Sequence, residues 1–262
     1  MGNIRIKNLF VSYDGITVFR NFNYTLRKDK TLCIIGTSGS GKTTLLRVLN
    51  GDIPYKGEVY INDILVNDDN FSKLRKEIGV VFRDCEFIND NVREELVYSL
   101  KQFNLSIDDI NDRLDEINEY FNTNKLLRRS IDSLNRNDRT LVKILSFAIS
   151  KPSYLAIDDL LIDLNYRTKV LLLNYLNSNN ILLINVTSDM EDVLFSDYLI
   201  CLYKGISAID GKSLDVIKNE KILKRLGFSL PFMYDLSLQL KLYGVLNRVY
   251  FNKEELVKNI WK

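Results

Sequence analysis

Two early stretches alternate apolar and polar positions: IRIKNLFVS at 4–12 and TVFRNFNYTL at 17–26. A period of two predicts half-buried strands that pair antiparallel. The next apolar run, TLCIIG at 31–36, does not alternate, and this predicts a strand covered on both faces. It leads straight into a loop of Gly and Ser. KTTLLRVLNG at 42–51 then spaces its apolar residues for a helix that stops at Gly51. GEVYIND and EIGVVF read as two further strands.

From about residue 92 to 150 the period changes. VREELVYSLKQF, INDRLDEINEYFN and DRTLVKILSFAIS carry apolar residues at helical spacing. This block predicts a helical insertion, ended by Pro152. YLAID, NILLINV and DYLICLY resume the buried strands, with a short helical stretch between the last two. Helices alternating with buried strands predict a parallel α/β core. The tail from Ser213 onward reads as mostly helical.

Composition changes this picture little. Hydrophobic residues at 46% and charged residues at 27% are those of an ordinary globular chain, and a net charge of +2 gives no argument for nucleic acid. Cys33, Cys85 and Cys201 form no C-x-x-C pair, so neither zinc nor a redox motif is suggested, and isolated thiols fit a reducing cytosol. The start MGNIRIKNLFVSYDG lacks the profile of a signal peptide, and Ile6 stands where a myristoylation signal needs Ser or Thr. No uninterrupted apolar run reaches the roughly 18 residues that a membrane span needs. Any membrane role is therefore expected to come through partners.

The loop after the buried strand carries the chemistry. Gly36, Thr37, Ser38, Gly39, Ser40, Gly41, Lys42 and Thr43 match G-x-x-x-x-G-K-[ST] in full, and Thr44 continues into the helix. In such a loop the glycines let backbone N–H groups turn inward around phosphates. Lys42 reaches the outer phosphates, and the Thr43 hydroxyl ligates Mg2+. The following helix adds its positive N-terminal end. An Asp on a neighbouring strand should complete the metal site; Asp158, closing YLAID, is the candidate, with Asp159 next to it. The fold class predicted is α/β: a P-loop NTPase core with an antiparallel β subdomain at 1–91 and 152–212, a helical subdomain at 92–151 and a helical C-terminal segment at 213–262.

The order of these features resembles an ABC-transporter ATPase subunit, over nearly the whole chain. Tyr13 lies where that family places an aromatic ring against adenine. GEVYINDILV resembles the strand after the P-loop helix, and IGVVFRD sits at the loop that bears a glutamine. LNRND at 134–138 lies at the signature position. YLAIDD resembles Walker B, LIDLN the D-loop and NVTSD the switch loop. The tail sequences LPFMYDLSLQLKLYG and NKEELVKNIWK are similar to the C-terminal segment of energy-coupling factor (ECF) transporter ATPases, which drive vitamin and metal uptake. A dimerisation helix of another kind is the alternative for that tail.

The resemblance implies ATP and Mg2+ as cofactors. It implies a homo- or heterodimer with another ABC-type ATPase, an integral membrane transport subunit as partner, and a peripheral place on the cytoplasmic face of the cell membrane. Specificity in that family resides in a separate membrane protein, so the transported substrate is not written in this chain.

The departures from the family pattern matter as much as the matches. Arg83 replaces the loop glutamine. Asn135, Arg136, Asn137 and Asp138 replace the signature's Ser, Gly, Gly and Gln. Asp159 stands for the catalytic Glu, Asn165 for the D-loop Asp and Ser188 for the switch His. By resemblance Lys42, Asp159 and Ser188 are the catalytic set, and residues 135–138 face the partner's ATP. Asp159 is one methylene short, and a misplacement of about 1 Å can cost roughly 10²-fold. Ser188 cannot carry positive charge, and losing a donor to developing negative charge costs about 10²- to 10³-fold. At 136–138 the side chains are expected to obstruct the partner's γ-phosphate, with Arg136 either pairing with phosphate or standing solvated. Reduced hydrolysis is expected, and a non-hydrolysing structural subunit is the rival reading. A GTPase is a remote alternative: NRND superficially resembles N-K-x-D, yet it does not end a strand. A soluble ABC-type protein acting on DNA or ribosomes finds no second P-loop or basic linker to support it.

Overall fold

The alternating stretches build a four-stranded antiparallel sheet. In this computed structural model, which describes residues 3–13, 15–27 (Arg27 by its backbone), 30–101, 103 and 105–260, β1 (Asn3–Tyr13) pairs with β2 (Ile16–Arg27). On its other edge β1 pairs with β4 (Lys56–Ile61), which continues into the short β5 (Ile64–Leu65). Ile4 and Ile6, and after a register shift Leu9 and Val11, are buried while the residues between them are not, so the period of two holds on each side of the irregularity.

The non-alternating runs build a second sheet of six strands, in the order β10-β9-β3-β8-β7-β6. These are β3 (Leu32–Gly36), β6 (Ile78–Val81), β7 (Tyr154–Asp158), β8 (Leu182–Thr187), β9 (Tyr198–Tyr203) and β10 (Ile206–Lys212). All neighbours run parallel except β9 and β10. Every residue of β3 is buried. Ile34 enters the cluster under the antiparallel sheet, whereas Cys33 and Ile35 enter a cluster with the tail. Both faces of β3 are thus covered, which is why its sequence shows no polar alternation.

Helix α1 (Lys42–Asn50) follows the loop after β3, and α2 (Phe71–Glu77) precedes β6. The helical block holds α3 (Val92–Lys101), α4 (Ile107–Phe121) and α5 (Arg136–Ala148), and α6 (Tyr166–Ser178) lies between β7 and β8. Ser106 and Asp109 close a reciprocal capping box at the start of α4. The tail forms α7 (Ser213–Ile217), α8 (Glu220–Arg225), α9 (Phe232–Leu242) and α10 (Lys253–Ile260). Gln102 of the expected helix VREELVYSLKQF and Trp261 and Lys262 of the tail lie outside the described residues.

Three elements were not expected from the pattern. β10 is an edge strand whose positions are exposed or half-buried throughout, so no apolar face marks it. α2 buries only Leu74, too little for a readable period. In α6 the continuous run Val170 to Leu173 hides the helical spacing. The short stretch between β8 and β9 is a single 3-10 turn over Asp192–Phe195.

Candidate nucleotide site

The ends of β3, β8, β7 and β6 lie side by side on one edge of the parallel sheet, because Ile35 pairs with Thr187, Asp158 with Val186 and Val81 with Ile157. Open parallel sheets bind ligands beyond the carboxyl ends of their strands. The Gly/Ser loop leaves this edge from β3 and feeds α1.

The loop's shape depends on its glycines. A Cβ on Gly36 would lie 2.2 Å from Ser40 Oγ and 2.8 Å from the Leu202 carbonyl oxygen. Gly41 caps α1 at φ 105°, and a Cβ there would meet the Phe19 ring at 2.8 Å. Only glycine satisfies both the left-handed backbone and the close approach of β2. The Ser40 carbonyl accepts the Gly205 N–H at 3.1 Å, so the β9–β10 turn clamps the loop from the other side. Ser40 Oγ is buried without a partner.

Lys42 Nζ donates to the carbonyl oxygens of Gly36 and Thr37 at 2.6 and 3.2 Å. The ammonium therefore lies within the loop it is expected to serve. Burial pushes its pKa down, while Asp158 and Asp159 pull it the other way. The Thr43 hydroxyl donates to Asp158 Oδ2 at 2.7 Å. Burial raises the Asp158 pKa against the bond from Thr43; Asp159 raises it further and Lys42 lowers it. A hydroxyl and a carboxylate at hydrogen-bond distance make a hard oxygen donor pair suited to Mg2+. A desolvated carboxylate beside a desolvated ammonium is a pair that added charge of both signs would satisfy. These residues fit Mg2+ with a nucleotide phosphate.

Tyr13 sits at the turn end of the β1–β2 hairpin, opposite Ile16, and its ring is partly exposed. Two residues further along β2, Val18 and Phe19 approach Gly41. Ser38 and Gly39 are exposed at the loop tip, and Thr37 and Thr44 are half-buried.

Next to this cradle the residues that depart from the family pattern meet one another. Asp159 has a left-handed backbone, φ 54°, uncommon for a residue with a side chain. Its N–H donates to the Val186 carbonyl at 2.7 Å. Its Oδ1 accepts from the Ser188 N–H at 3.2 Å and from the Ser188 hydroxyl at 3.1 Å. Arg83 approaches from the loop after β6. Its Nη1 donates to the Asp159 carbonyl oxygen at 2.9 Å and lies 3.5 Å from Asp159 Oδ2. Its Nη2 reaches both carboxylate oxygens of Asp163, at 3.3 and 3.4 Å.

The segment expected to face a partner's ATP forms the start of α5. Asn135 is its N-cap, accepting the Asp138 N–H at 2.8 Å. Arg136 and Asn137 each make contacts within their own chain. The Arg136 guanidinium pairs with Asp163 of its own chain while its side chain stays 70% exposed. Asn137 Oδ1 accepts the Asn165 N–H at 2.9 Å, and its amide donates to Asp138 Oδ1 at 3.2 Å. The physical reason is local: Asp163, only 9% exposed in its side chain, lies within reach of two guanidiniums, and a carboxylate so withdrawn from water holds them. Sequence reading missed Asp163. The available signal was a second acidic residue, in LIDLN, at a position with no assigned role.

A second feature lies on the same side as the helical block. A groove of about 470 Å³ is lined by residues that include Phe71, Phe82, Cys85, Glu86, Ile88, Tyr98 and Phe147. Its loop is held by Glu95, which accepts from the N–H groups of Ile88 and Asn89 at 3.1 and 2.9 Å. Lys143 ties the loop to α5 by donating to the Arg83 carbonyl at 2.9 Å.

Comparison with known proteins identifies the family. The energy-coupling factor transporter ATP-binding protein EcfA of Malacoplasma penetrans is 28% identical over 265 residues, covering 98% of this chain and 92% of that protein. EcfA1 of Mycoplasmopsis synoviae is 26% identical over 269 residues, covering 99% of this chain and all (100%) of that one. Among solved structures, cbiO1 from Clostridium perfringens, part of the ABC transporter complex cbiONQ, superposes with a TM-score of 0.74 at 20% identity, over 87% of this chain and 95% of that one. A dimeric ATP-binding cassette in a post-hydrolysis state with ADP and Pi superposes with a TM-score of 0.71 at 22% identity, over 80% of this chain and 98% of that one. The model of the family described as ABC transporter matches residues 19–161. That span runs from β2 through the loop, α1 and the helical block to the paired Asp158 and Asp159, more than half of the chain, and the chain belongs to the ABC transporter family.

Proposed function

We propose that this chain is the ATP-binding subunit of an ECF-type importer, with hydrolysis slower than the family norm. The observation that carries the reading is the cradle: Lys42 inside a glycine-shaped loop, with Thr43 on Asp158 beside it. The ECF names of relatives that match almost end to end support the transporter type.

In this reading the loop N–H groups and Lys42 bind the phosphates, and Tyr13 stacks on the adenine. Mg2+ held by Thr43 and Asp158 supplies charge neutralisation at the outer phosphates. Asp159 orients the attacking water, and Ser188 fixes the Asp159 carboxylate. Residues 135–138 face the nucleotide of a second ATPase subunit, identical or related. The segment 213–262 is the pairing surface; Phe232, Leu242, Tyr243 and Val245 leave an apolar, exposed set there. Among the described residues no helix is long and apolar enough to cross a membrane. In this reading the groove bordered by Arg83 to Val92 receives a helix of an integral membrane subunit at the cytoplasmic face. Glu86 in the groove, with Asp84 and Asp90 in the same loop, suits a basic helix.

The test has two arms. ATP with magnesium should protect the chain against heat, and GTP should protect less. Equal protection by both would remove the ATP assignment. Charge reversal at Asp84 and Glu86 should release the chain from membranes, and co-purification that survives the reversal would remove the docking assignment.

A second reading, an ATP-binding subunit that does not hydrolyse, is favoured by one observation. Both Asp159 carboxylate oxygens are already engaged within the chain, by Ser188 and Arg83.

A further inference from the structure

Arg83 is the departure for which the family pattern offers no role. Its surroundings are specific. The guanidinium spans two acidic residues of one turn, four positions apart: Asp159 at the end of β7 and Asp163 in the 3-10 turn before α6. One nitrogen takes the Asp159 main-chain oxygen at 2.9 Å, and the other takes the Asp163 carboxylate. That first bond falls on the peptide following a residue in a left-handed conformation. Such a backbone is strained for a residue with a side chain and persists only where neighbouring groups over-determine it. The groups that do so here are the Val186 carbonyl on the Asp159 N–H, Ser188 on the carboxylate, and Arg83 on the carbonyl oxygen.

The Arg83 backbone is fixed as well, since Lys143 donates to its carbonyl. Lys143 also lies 5.7 Å from the centre of the Phe87 ring, in the loop that borders the groove. Arg136, from the first turn of α5, shares Asp163 with Arg83. One planar fork thus joins the groove loop, the β7 turn and, through Asp163, the start of α5. A glutamine is shorter, uncharged and carries only two donors, so it cannot span both acids in this way.

We propose that Arg83 is a positioning residue for the proposed reaction, holding the Asp159 turn and Asp163 in the geometry in which Asp159 meets the attacking water. The proposal rests on the nucleotide reading given above. In this role Arg83 acts through Asp159 and Asp163. It makes up for a short carboxylate by fixing the backbone from which that carboxylate projects. Misplacement on the scale of 1 Å is costly enough for such support to matter.

Two variants of the full chain test this. Arg83→Met keeps the apolar stem and removes the fork, and Arg83→Lys keeps the charge alone. In the nucleotide-free chain, amide hydrogen exchange across 159–164 should quicken by roughly 10-fold or more in Arg83→Met, with exchange at 36–44 unchanged. ATP turnover, measured on the full chain with its co-purifying partners, should fall by roughly 10-fold or more at unchanged KM. Arg83→Lys should lie between the wild type and Arg83→Met in both. Unchanged exchange at 159–164 would overturn the proposal. So would faster exchange with unaltered turnover, or a rise in turnover, which would make Arg83 a brake. If the wild-type chain fails to bind ATP, the functional reading falls, and with it the catalytic part of this role. The exchange result would still decide whether Arg83 holds the turn.

Discussion

The cradle and the turn beside it lie on the same sheet edge and are built in opposite ways. The cradle is shaped by main chain: Gly36 and Gly41 admit Ser40 and Phe19 at distances no side chain would allow, and the Gly205 N–H holds the loop at Ser40. Its only charged side chains are Lys42, turned onto loop carbonyls, and Asp158, turned onto Thr43. The neighbouring turn is a web of side chains, in which Arg83, Arg136, Asp159, Asp163 and Ser188 satisfy one another. A backbone cradle tolerates no change at its glycines. A side-chain web can be rebuilt by paired replacements. This difference fits a chain that keeps the full phosphate motif and, in the reading proposed above, replaces residues that act on the attacking water. Binding and chemistry rest on different groups, so one can drift while the other stays.

The strongest way to break the comparison is at Lys42. Lys42→Ala removes the one ammonium in the cradle and should abolish protection by ATP in a thermal shift, with turnover lost as well. Retained protection would mean that the main chain alone grips the nucleotide. The fold itself should survive, because the lysine bonds only to carbonyl oxygens of its own loop.

A smaller effect is expected in the web. Asp159→Glu together with Ser188→His restores the length and the charge that the resemblance calls for. Turnover in the assembled complex should rise, by about 10-fold or more, at unchanged ATP affinity. The structure sharpens this expectation, because Asp159 is also held by Arg83. No rise from the double variant, followed by a rise when Arg83→Gln is added, would show that the web acts as one unit.

The smallest effect concerns stability. Burial raises the Asp158 pKa above its ordinary 3.8 in the folded chain. Between that ordinary value and the raised one, the folded state holds a proton that the unfolded state has lost. Stability from this group therefore falls as pH rises through that window and stays lower above it. Asp158→Asn removes the deficit. The nucleotide-free variant should melt higher at neutral pH, and the difference should vanish below the ordinary aspartate value. Magnesium should then add nothing to the protection given by ATP. A lower melting point at neutral pH would show that the carboxylate's bond to Thr43 outweighs its desolvation.

Much of the molecule was legible because its signals are local. The period of two in β1, the all-buried run of β3 and the loop motif before α1 each lie within about a dozen residues, and each encodes a steric or burial requirement that no distant residue need satisfy. The resemblance placed Asp158 and Ser188 as well, and the sheet order brings both to the cradle edge. Elements with one buried face of a single residue, such as α2, or with none, such as β10, left no such trace.

By itself the sequence determined the phosphate-loop motif, since that motif requires only its own glycines, lysine and threonine in order. The tertiary structure alone decided what the remaining charged residues do. Arg83 and Asp159 are 76 positions apart, and Arg136 and Asp163 are 27 apart. Their pairing depends on β6 lying beside β7 and on α5 ending its first turn against the segment after β7. A guanidinium presents the same formal charge wherever it stands in a sequence. Whether it meets solvent, phosphate or a half-buried carboxylate is set by which chain segments the sheet order brings within about 3 Å, the range of a hydrogen bond.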